Sequence, residues 1–487
     1  MTIHSDWARI LHDECPEAFT LSKPPNRKSS LYQVGVIDGH LQLMRLDTRM
    51  QTWECFIRNQ FLKPIQEMFS YGCPRVVLCF DDYASVPLYK AMTQNSRTNK
   101  SEVKTFGAHE ELPATIPEDP MQYLMNRNFK LKLIDMLCQR IPHMLKLQSP
   151  QHEFILDYKM VVHYDCFVPP PSSSMAEVQP TVYSLIPSPV VVREMHSMGE
   201  SDVKFIRYVK KYGNALVHAI DGDYMAIALL YYSENDIQTT NKIFIYRQFS
   251  VLQTGKKAKE AKEAAACEKK KRKRAEAEEE EEEAITKEKS QKKKCWVDMQ
   301  LLYVAITQAM RQCGYTQAIN AKTLQPFDDK DAVFTAIFLM LCAGTDFSRN
   351  IPLIGPKKIW DYLPEIALPA MQALRGGERV NETMILNMVI GKMYNLTYSK
   401  HIGPLLSASL FEKVTTSLRG SGTKLSQGTK DRLPSVERVR NTIKNLIWVT
   451  KYWTTDNGQV ETPLEGEYGF ARDEQGKMNF QDLIIRV

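Results

Sequence analysis

The spacing of hydrophobic residues predicts a chain in which strands and helices alternate. Continuous apolar runs that end in aspartate occupy residues 32–38, 75–81 and 215–221. Runs of this kind are typical of parallel strands that are buried on both faces of a sheet. Amphipathic helical patterns lie between them, as in residues 52–69 and in residues 203–212, where Gly213 ends the pattern. The alternation predicts an α/β fold whose central, mostly parallel sheet is flanked by helices.

Two later segments are also predicted to be helices. Residues 334–342 are apolar on nearly every side, which is typical of a buried helix. Residues 436–453 carry a stripe of aliphatic and aromatic side chains at helical spacing. Such a stripe favours a helix that docks on the core, although the sequence assigns no function to this C-terminal region.

The composition is that of a globular protein. The chain has 487 residues, of which 43% are hydrophobic and 25% are charged, so it is not mainly disordered or fibrous. The longest apolar stretch, residues 332–344, is too short to cross a bilayer, and charged residues interrupt any signal-peptide core near the N-terminus. Ten scattered cysteines without a C-x-x-C pair favour reduced thiols over a cysteine zinc site. We therefore expect no membrane partner.

A charged segment interrupts the second half of the chain. Residues 255–294 contain 15 basic and 11 acidic residues, a net charge of +4, which leaves only +2 of the total charge of +6 for the rest. Because the segment has no apolar face to bury, we expect a solvated loop or a frayed helix. Its basic cluster, Lys269 to Arg274, is also a candidate nuclear localisation signal. On that interpretation the protein is nuclear, and otherwise it is cytoplasmic.

Seven acidic residues are expected to share one edge of the sheet. Ligands of open α/β sheets bind at the carboxyl ends of the strands, where three of these acids fall, and the others lie at predicted helix boundaries. The complete set is Asp38, Asp81, Glu200, Asp202, Asp221, Asp223 and Asp346. So many carboxylates stay ionised together only around cations. An all-oxygen set favours two Mg²⁺ ions, with Mn²⁺ as a substitute, which is a common arrangement for phosphodiester hydrolysis.

Taken in order, these motifs resemble those of the flap endonuclease/XPG family of structure-specific 5′ nucleases. The similarity comprises Ile37-Asp38, Phe80-Asp81, Gly199-Glu200-Ser201-Asp202, Asp221-Gly222-Asp223 and Gly344-Thr345-Asp346, followed by Ile354-Gly355-Pro356-Lys357-Lys358. The resemblance implies a PIN-like nuclease core in which the acids hold two divalent ions. It also implies hydrolysis of DNA in replication or repair, and a helix-two-turn-helix region that grips duplex DNA.

On that resemblance the chain divides into four parts. Residues 1–253 are the N-terminal part of the nuclease core, with an arch or cap at about 83–150, and residues 254–295 are the charged, disordered insertion. Residues 296–400 complete the core and include the helix-two-turn-helix region, and residues 401–487 are a C-terminal extension. The tail contains no convincing sliding-clamp motif.

Basic residues outside the acidic set are candidates for substrate binding. Lys90 and Arg97 are seven residues apart, two helical turns, and therefore share one face of a helix. In the family, a lysine and an arginine at this spacing stabilise charge on the phosphoryl oxygens, so the resemblance implies a catalytic role for this pair. Gly355, Lys357 and Lys358 are expected to bind DNA phosphates at a helix start. The predicted substrate is DNA with junctions between single and double strands.

Other interpretations of the same residues stay open. Thr2 stands where family members have glycine, and Met44 occupies the region where they have a stacking tyrosine. Because both features help a flap enzyme to hold bent DNA, the alternative enzyme is a related 5′→3′ exonuclease, of the Xrn type, that acts on RNA. The alternative of another class is a non-catalytic scaffold that binds nucleic acid. For Lys90 and Arg97 the alternative is a pair of solvated surface charges.

Overall fold

The computed structural model describes residues 10–19, 24, 31–81, 103–145, 152–158, 182–183, 191–195, 200–237, 240–250, 292–344, 351–377, 379–394, 408–420, 427–430, 433–454, 470–472 and 478–480. The strands within these ranges are β1 (Val34–Asp38), β2 (Arg75–Cys79), β3 (Glu153–Asp157), β4 (Val182–Tyr183), β5 (Val191–Met195), β6 (Ala215–His218), β7 (Ile243–Ser250), β8 (Lys292–Asp298), β9 (Phe470–Arg472) and β10 (Met478–Phe480). Strands β9 and β10 form a separate antiparallel pair.

The other eight strands form the central sheet, in the order β4-β5-β3-β2-β1-β6-β7-β8. The six strands from β5 to β7 in this order are parallel, and β4 and β8 pair with them in the antiparallel direction. Strand β1 lies between β2 and β6, with Asp38 opposite Cys79 and Ile37 opposite His218. The predicted α/β architecture with a mostly parallel central sheet is therefore confirmed.

The inner strands β1, β2 and β6 are mostly apolar because both faces of the sheet are buried. Successive side chains of a strand point to opposite faces. Accordingly, Val36 and Val77 belong to the apolar cluster on one face, whereas Ile37 and Leu78 belong to the cluster on the other. A sheet that is covered on both sides needs continuous hydrophobic strands rather than alternating ones.

Helices cover both faces. In chain order they are α1 (Gly39–Leu43), α2 (Trp53–Ile57), α3 (Lys63–Ser70), α4 (Pro120–Leu124), α5 (Arg127–Met144), α6 (Ser201–Tyr212), α7 (Asp223–Glu234), α8 (Met299–Arg311), α9 (Asp329–Leu341), α10 (Pro356–Asp361), α11 (Leu363–Arg375), α12 (Glu382–Met388), α13 (Ala408–Gly420), α14 (Gln427–Lys430) and α15 (Val436–Thr454). Residues of α1 to α5 pack in the cluster on one face, and residues of α6 to α13 and of α15 pack in the cluster on the other.

Segments outside the alternating strands and helices also pack against this core. The described part of the predicted arch, residues 103–145, buries Phe106, Leu133 and Ile141 in the same cluster as the strands. Helix α15 contacts α7 and α12 and buries Trp448, which confirms the predicted docking. Strand β8 begins at Lys292, so the sheet takes up the last residues of the segment predicted as an insertion. In the described ranges, no helix has both the length and the apolar character needed to cross a bilayer.

Candidate functional site

Three of the predicted site residues stand at the ends of neighbouring strands. Asp38 is the last residue of β1, Asp81 follows β2 after one residue, and Asp221 follows β6 after two. Because β2, β1 and β6 are adjacent and parallel, all three residues emerge at the same edge of the sheet. This is the edge at which open α/β sheets bind their ligands.

Asp38 is held by the turn that connects β1 to α1. Its Oδ1 accepts a hydrogen bond from the Leu41 amide at 3.0 Å, so the same carboxylate caps the helix. A Cβ atom at the next residue, Gly39, would lie 2.8 Å from the carbonyl oxygen of Cys79. Glycine therefore lets the chain turn directly against the end of β2, and this close approach keeps Asp38 near Asp81.

Helix α6 inserts Ser201 between Asp38 and Asp81. The amide and the hydroxyl of Ser201 both donate to Asp81 Oδ1, at 2.9 Å and 2.8 Å, and the hydroxyl oxygen lies 3.4 Å from Asp38 Oδ1. The flanking residues, Glu200 at the N-cap and Asp202 in the first turn, are buried. The positive end of the helix dipole therefore faces a group of carboxylates, which it stabilises in the ionised form.

The N-terminus of α7 reaches the same edge. Asp223 is the first residue of this helix, and its amide donates to Asp221 Oδ1 at 3.2 Å. Asp223 is buried and Asp221 is half-buried. Burial, together with the charges of Asp38 and Asp202, raises the pKa of Tyr224 well above its ordinary value. The second residue of α7 therefore lies close to the carboxylates that β1 and α6 supply.

The electrostatics of Asp38 show that the acidic residues act on one another. Burial raises the pKa of Asp38 to about 7, and the charges of Asp81, Asp202 and Asp221 raise it as well, whereas the hydrogen bond from Leu41 opposes this shift. The structure thus brings together six of the seven predicted acids, namely Asp38, Asp81, Glu200, Asp202, Asp221 and Asp223. Asp346 lies outside the described residues.

The donor set at this edge suits a hard divalent cation. It consists of carboxylate oxygens, the ligands that Mg²⁺ and Mn²⁺ prefer, and Mg²⁺ commonly keeps several waters when few carboxylates bind it. Among the residues that the structure describes, no three His, Cys, Asp or Glu side chains converge on a point that would hold a metal ion. The chemistry of the site therefore fits Mg²⁺, and the described side chains do not form a ready-made coordination shell.

Three cationic or ionisable groups near the acids were not singled out in the sequence. His40 Nδ1 lies 3.7 Å from Asp81 Oδ2. Burial lowers the pKa of Lys130 on α5, while the charge of Asp81 acts to raise it. Arg247 on β7 is buried and interacts with the charge of Asp221. Only His40 had a signal in the sequence, since it follows Asp38 by two residues.

A buried ion pair anchors α6 behind the site. Lys204 and Asp157 are both fully buried, and Lys204 Nζ lies 3.2 Å from Asp157 Oδ1. The same ammonium donates to the carbonyl oxygen of Phe80 at 2.7 Å, and the Tyr208 hydroxyl donates to Asp157 Oδ2 at 2.6 Å. Because Phe80 directly precedes Asp81, this network fixes the first turns of α6 against the end of β2. Asp157 ends β3 and is a further strand-end acid, which was not predicted from the sequence.

Only some of the predicted substrate-binding residues lie within the described ranges. Lys90 and Arg97 lie outside the described residues. Gly355 precedes α10, and Lys357 in its first turn is exposed and lies 2.8 Å from Asp361 and 2.9 Å from Glu14. Exposed ion pairs of this kind contribute little free energy, so a phosphate group can replace the carboxylate partners of Lys357.

A scan against protein-family models matches none of them, and a search of the curated proteins finds no significant relative.

Proposed function

We propose that this protein is a divalent-metal-dependent nuclease of the flap endonuclease/XPG type, which hydrolyses phosphodiester bonds of nucleic acid with junctions between single and double strands. The proposal rests on the group of six acids at one edge of the sheet. Within this group, Asp38 interacts electrostatically with Asp81, Asp202 and Asp221. A buried carboxylate group of this density needs cations to stay ionised. Two bound Mg²⁺ ions would supply the activation of water and the stabilisation of the leaving oxygen.

The protein's own groups have distinct tasks in this proposal. The carboxylates of Asp38, Asp81 and Asp221 hold the cations at the strand ends. Glu200 and Asp202 at the start of α6 and Asp223 at the start of α7 add carboxylates from the neighbouring helices, and Asp346 keeps the role that the resemblance implies for it. The N-termini of α6 and α7 orient these carboxylates, because Ser201 donates two hydrogen bonds to Asp81 and the amide of Asp223 donates one to Asp221.

Basic side chains around the acids are proposed to bind the phosphates of the substrate. Lys130 on α5 interacts with the charge of Asp81 and lies in the region where the resemblance places the arch. Lys90 and Arg97 keep the role that the resemblance implies for them, and the segment from Gly355 to Lys358 is assigned to duplex phosphates. These contacts neutralise phosphate charge and do not read base sequence.

Cleavage assays with purified full-length protein test the proposal. The substrates are labelled 5′-flap, nicked, gapped and single-stranded DNA and the corresponding RNA, each with Mg²⁺ or with EDTA. We expect metal-dependent cleavage by the wild type, no cleavage by Asp223→Asn, and wild-type cleavage by Glu54→Gln, which changes an exposed carboxylate paired with Arg58. Preference for flap DNA over single-stranded RNA separates the flap enzyme from the exonuclease.

The opposite results are equally specific. Binding of these substrates without cleavage in Mg²⁺ or Mn²⁺ overturns the nuclease assignment and favours the nucleic-acid-binding scaffold. Equal cleavage by the wild type and by Asp223→Asn shows that the activity does not depend on the carboxylate group.

A further inference from the structure

A buried arginine lies behind the acidic residues on the neighbouring strand. Arg247 is 3% exposed and belongs to β7, which pairs in parallel with β6. The register places His218, the last residue of β6, opposite Tyr246, so Arg247 is level with the turn that leads to Asp221. Ile243 and Ile245, which precede Arg247 at alternate positions, pack in the cluster that contains α7. Arg247 therefore points to the sheet face on which α7 begins.

This position is costly for a guanidinium group unless carboxylates compensate it. A buried charge loses its hydration, and the N-terminus of α7 adds the positive end of a helix dipole. Burial lowers the pKa of Arg247 to about 10, and Asp221, Cys295 and Asp223 oppose that shift. Among the described residues no group accepts a hydrogen bond from Nε or Nη1 of this side chain. For these two nitrogens, the charge of the two aspartates offsets part of the cost of burial without a direct hydrogen bond.

We propose that Arg247 is a positioning residue that balances the charge of Asp221 and Asp223 while no metal is bound, and that it thereby weakens the binding of a divalent cation at this end of the site. This inference rests on the proposed function. The arginine and the cation act on the same two carboxylates with charges of the same sign. Removing the arginine takes one positive charge away from the two aspartates, which destabilises the metal-free protein and makes a cation bind more tightly.

Metal titration of substrate-free, full-length protein tests the proposal. Isothermal titration calorimetry with Mg²⁺ and with Mn²⁺ compares the wild type, Arg247→Met, Arg247→Lys and the control Ile245→Ala, which opens a cavity on the same face without changing charge. We expect Arg247→Met to bind the ions about tenfold more tightly than the wild type, since a like charge has been removed from their vicinity. Arg247→Lys, which keeps the charge, and Ile245→Ala are expected to bind within about twofold of the wild type.

Thermal melting in EDTA supplies the second measurement, through a double-mutant cycle of Asp221→Asn and Arg247→Met. We expect the double variant to melt higher than the sum of the two single shifts allows, because it removes both charges together. If Arg247→Met does not fold alone, the double variant is still expected to fold.

The two measurements distinguish failure of the role proposed for Arg247 from failure of the proposed function. Unchanged or weaker ion binding by folded Arg247→Met, or additive shifts in the melting cycle, overturns the role of Arg247. A double variant that also fails to fold does the same, because it shows that the side chain is needed for packing whatever the acids carry. If the wild type binds neither ion, the proposed function fails, and the melting cycle still decides whether Arg247 balances the two aspartates.

Discussion

Replacing Asp38 with asparagine is expected to stabilise the metal-free protein above neutral pH. The carboxyl group of Asp38 is buried. Its pKa is raised from 3.8 to about 7 by that burial and by the charges of Asp81, Asp202 and Asp221. Asparagine has nearly the same shape and is as good an N-cap as aspartate, so the hydrogen bond from Leu41 is retained. The substitution therefore removes the charge while it keeps the turn that holds the residue.

The sign of the effect follows from the two protonation equilibria. At low pH the group is protonated in both the folded and the unfolded state, and its contribution to stability is fully present. As pH rises from 3.8 toward 7, the unfolded chain ionises first, so the folded state loses about 1.4 kcal/mol for each pH unit. Above pH 7 the loss is complete, and the interval of about 3 units corresponds to about 4 kcal/mol.

Thermal melting in EDTA at about pH 5 and about pH 8.5 measures this effect. We expect Asp38→Asn to melt well above the wild type at the higher pH and to lose much of that advantage at the lower one. Added Mg²⁺ is expected to stabilise the wild type more than the variant, because the cation takes over the compensation of charge. The exposed control Glu54→Gln is expected to follow the wild type at both values. A difference that is the same at both pH values, or a variant that melts lower at pH 8.5, shows that ionisation of the Asp38 carboxyl does not destabilise the folded protein.

Three further changes test the parts that position the site. Gly39→Ala is expected to lose about 1–3 kcal/mol of unfolding free energy in urea titrations, since its Cβ meets the Cys79 carbonyl at 2.8 Å. Lys204→Met is expected to lose about 3–5 kcal/mol because it leaves Asp157 buried without its cation, and the double variant Lys204→Met/Asp157→Leu is expected to recover most of that loss. Lys357→Ala is expected to lower the slope of log affinity for duplex DNA against log salt by about one. A stable Gly39→Ala or Lys204→Met variant, or an unchanged salt slope, contradicts the corresponding contact.

The strands that carry the acidic residues were predictable because their chemistry is local. The runs that end at Asp38, Asp81 and Asp221 are hydrophobic enough to be buried on both faces, and an acid after such a run reaches the sheet edge whatever packs around it. The helix over residues 203–212 was predictable for the same reason, from its apolar stripe and from Gly213, which has a positive φ at the helix end, and the structure begins this helix at Ser201.

Residues that depend on tertiary neighbours were not predictable. Lys204 lies on an amphipathic helix and Arg247 on a mixed strand, and each is an ordinary surface charge by its sequence context. Only the fold shows that both are buried beside carboxylates. Strand β8 was missed because it begins within a run of lysines from Lys292, a composition that predicts solvation.

Locating bound metal shows whether the carboxylates at the strand ends form a metal centre. Crystals of the protein grown with Mn²⁺ would be measured near the manganese absorption edge, and an Asp81→Asn variant would be treated in the same way. We expect anomalous density between Asp38, Asp81 and Asp221 in the wild type, and weaker density or none in the variant. Manganese that binds only elsewhere in the molecule, or equally in both proteins, contradicts the assignment of these carboxylates as the metal centre.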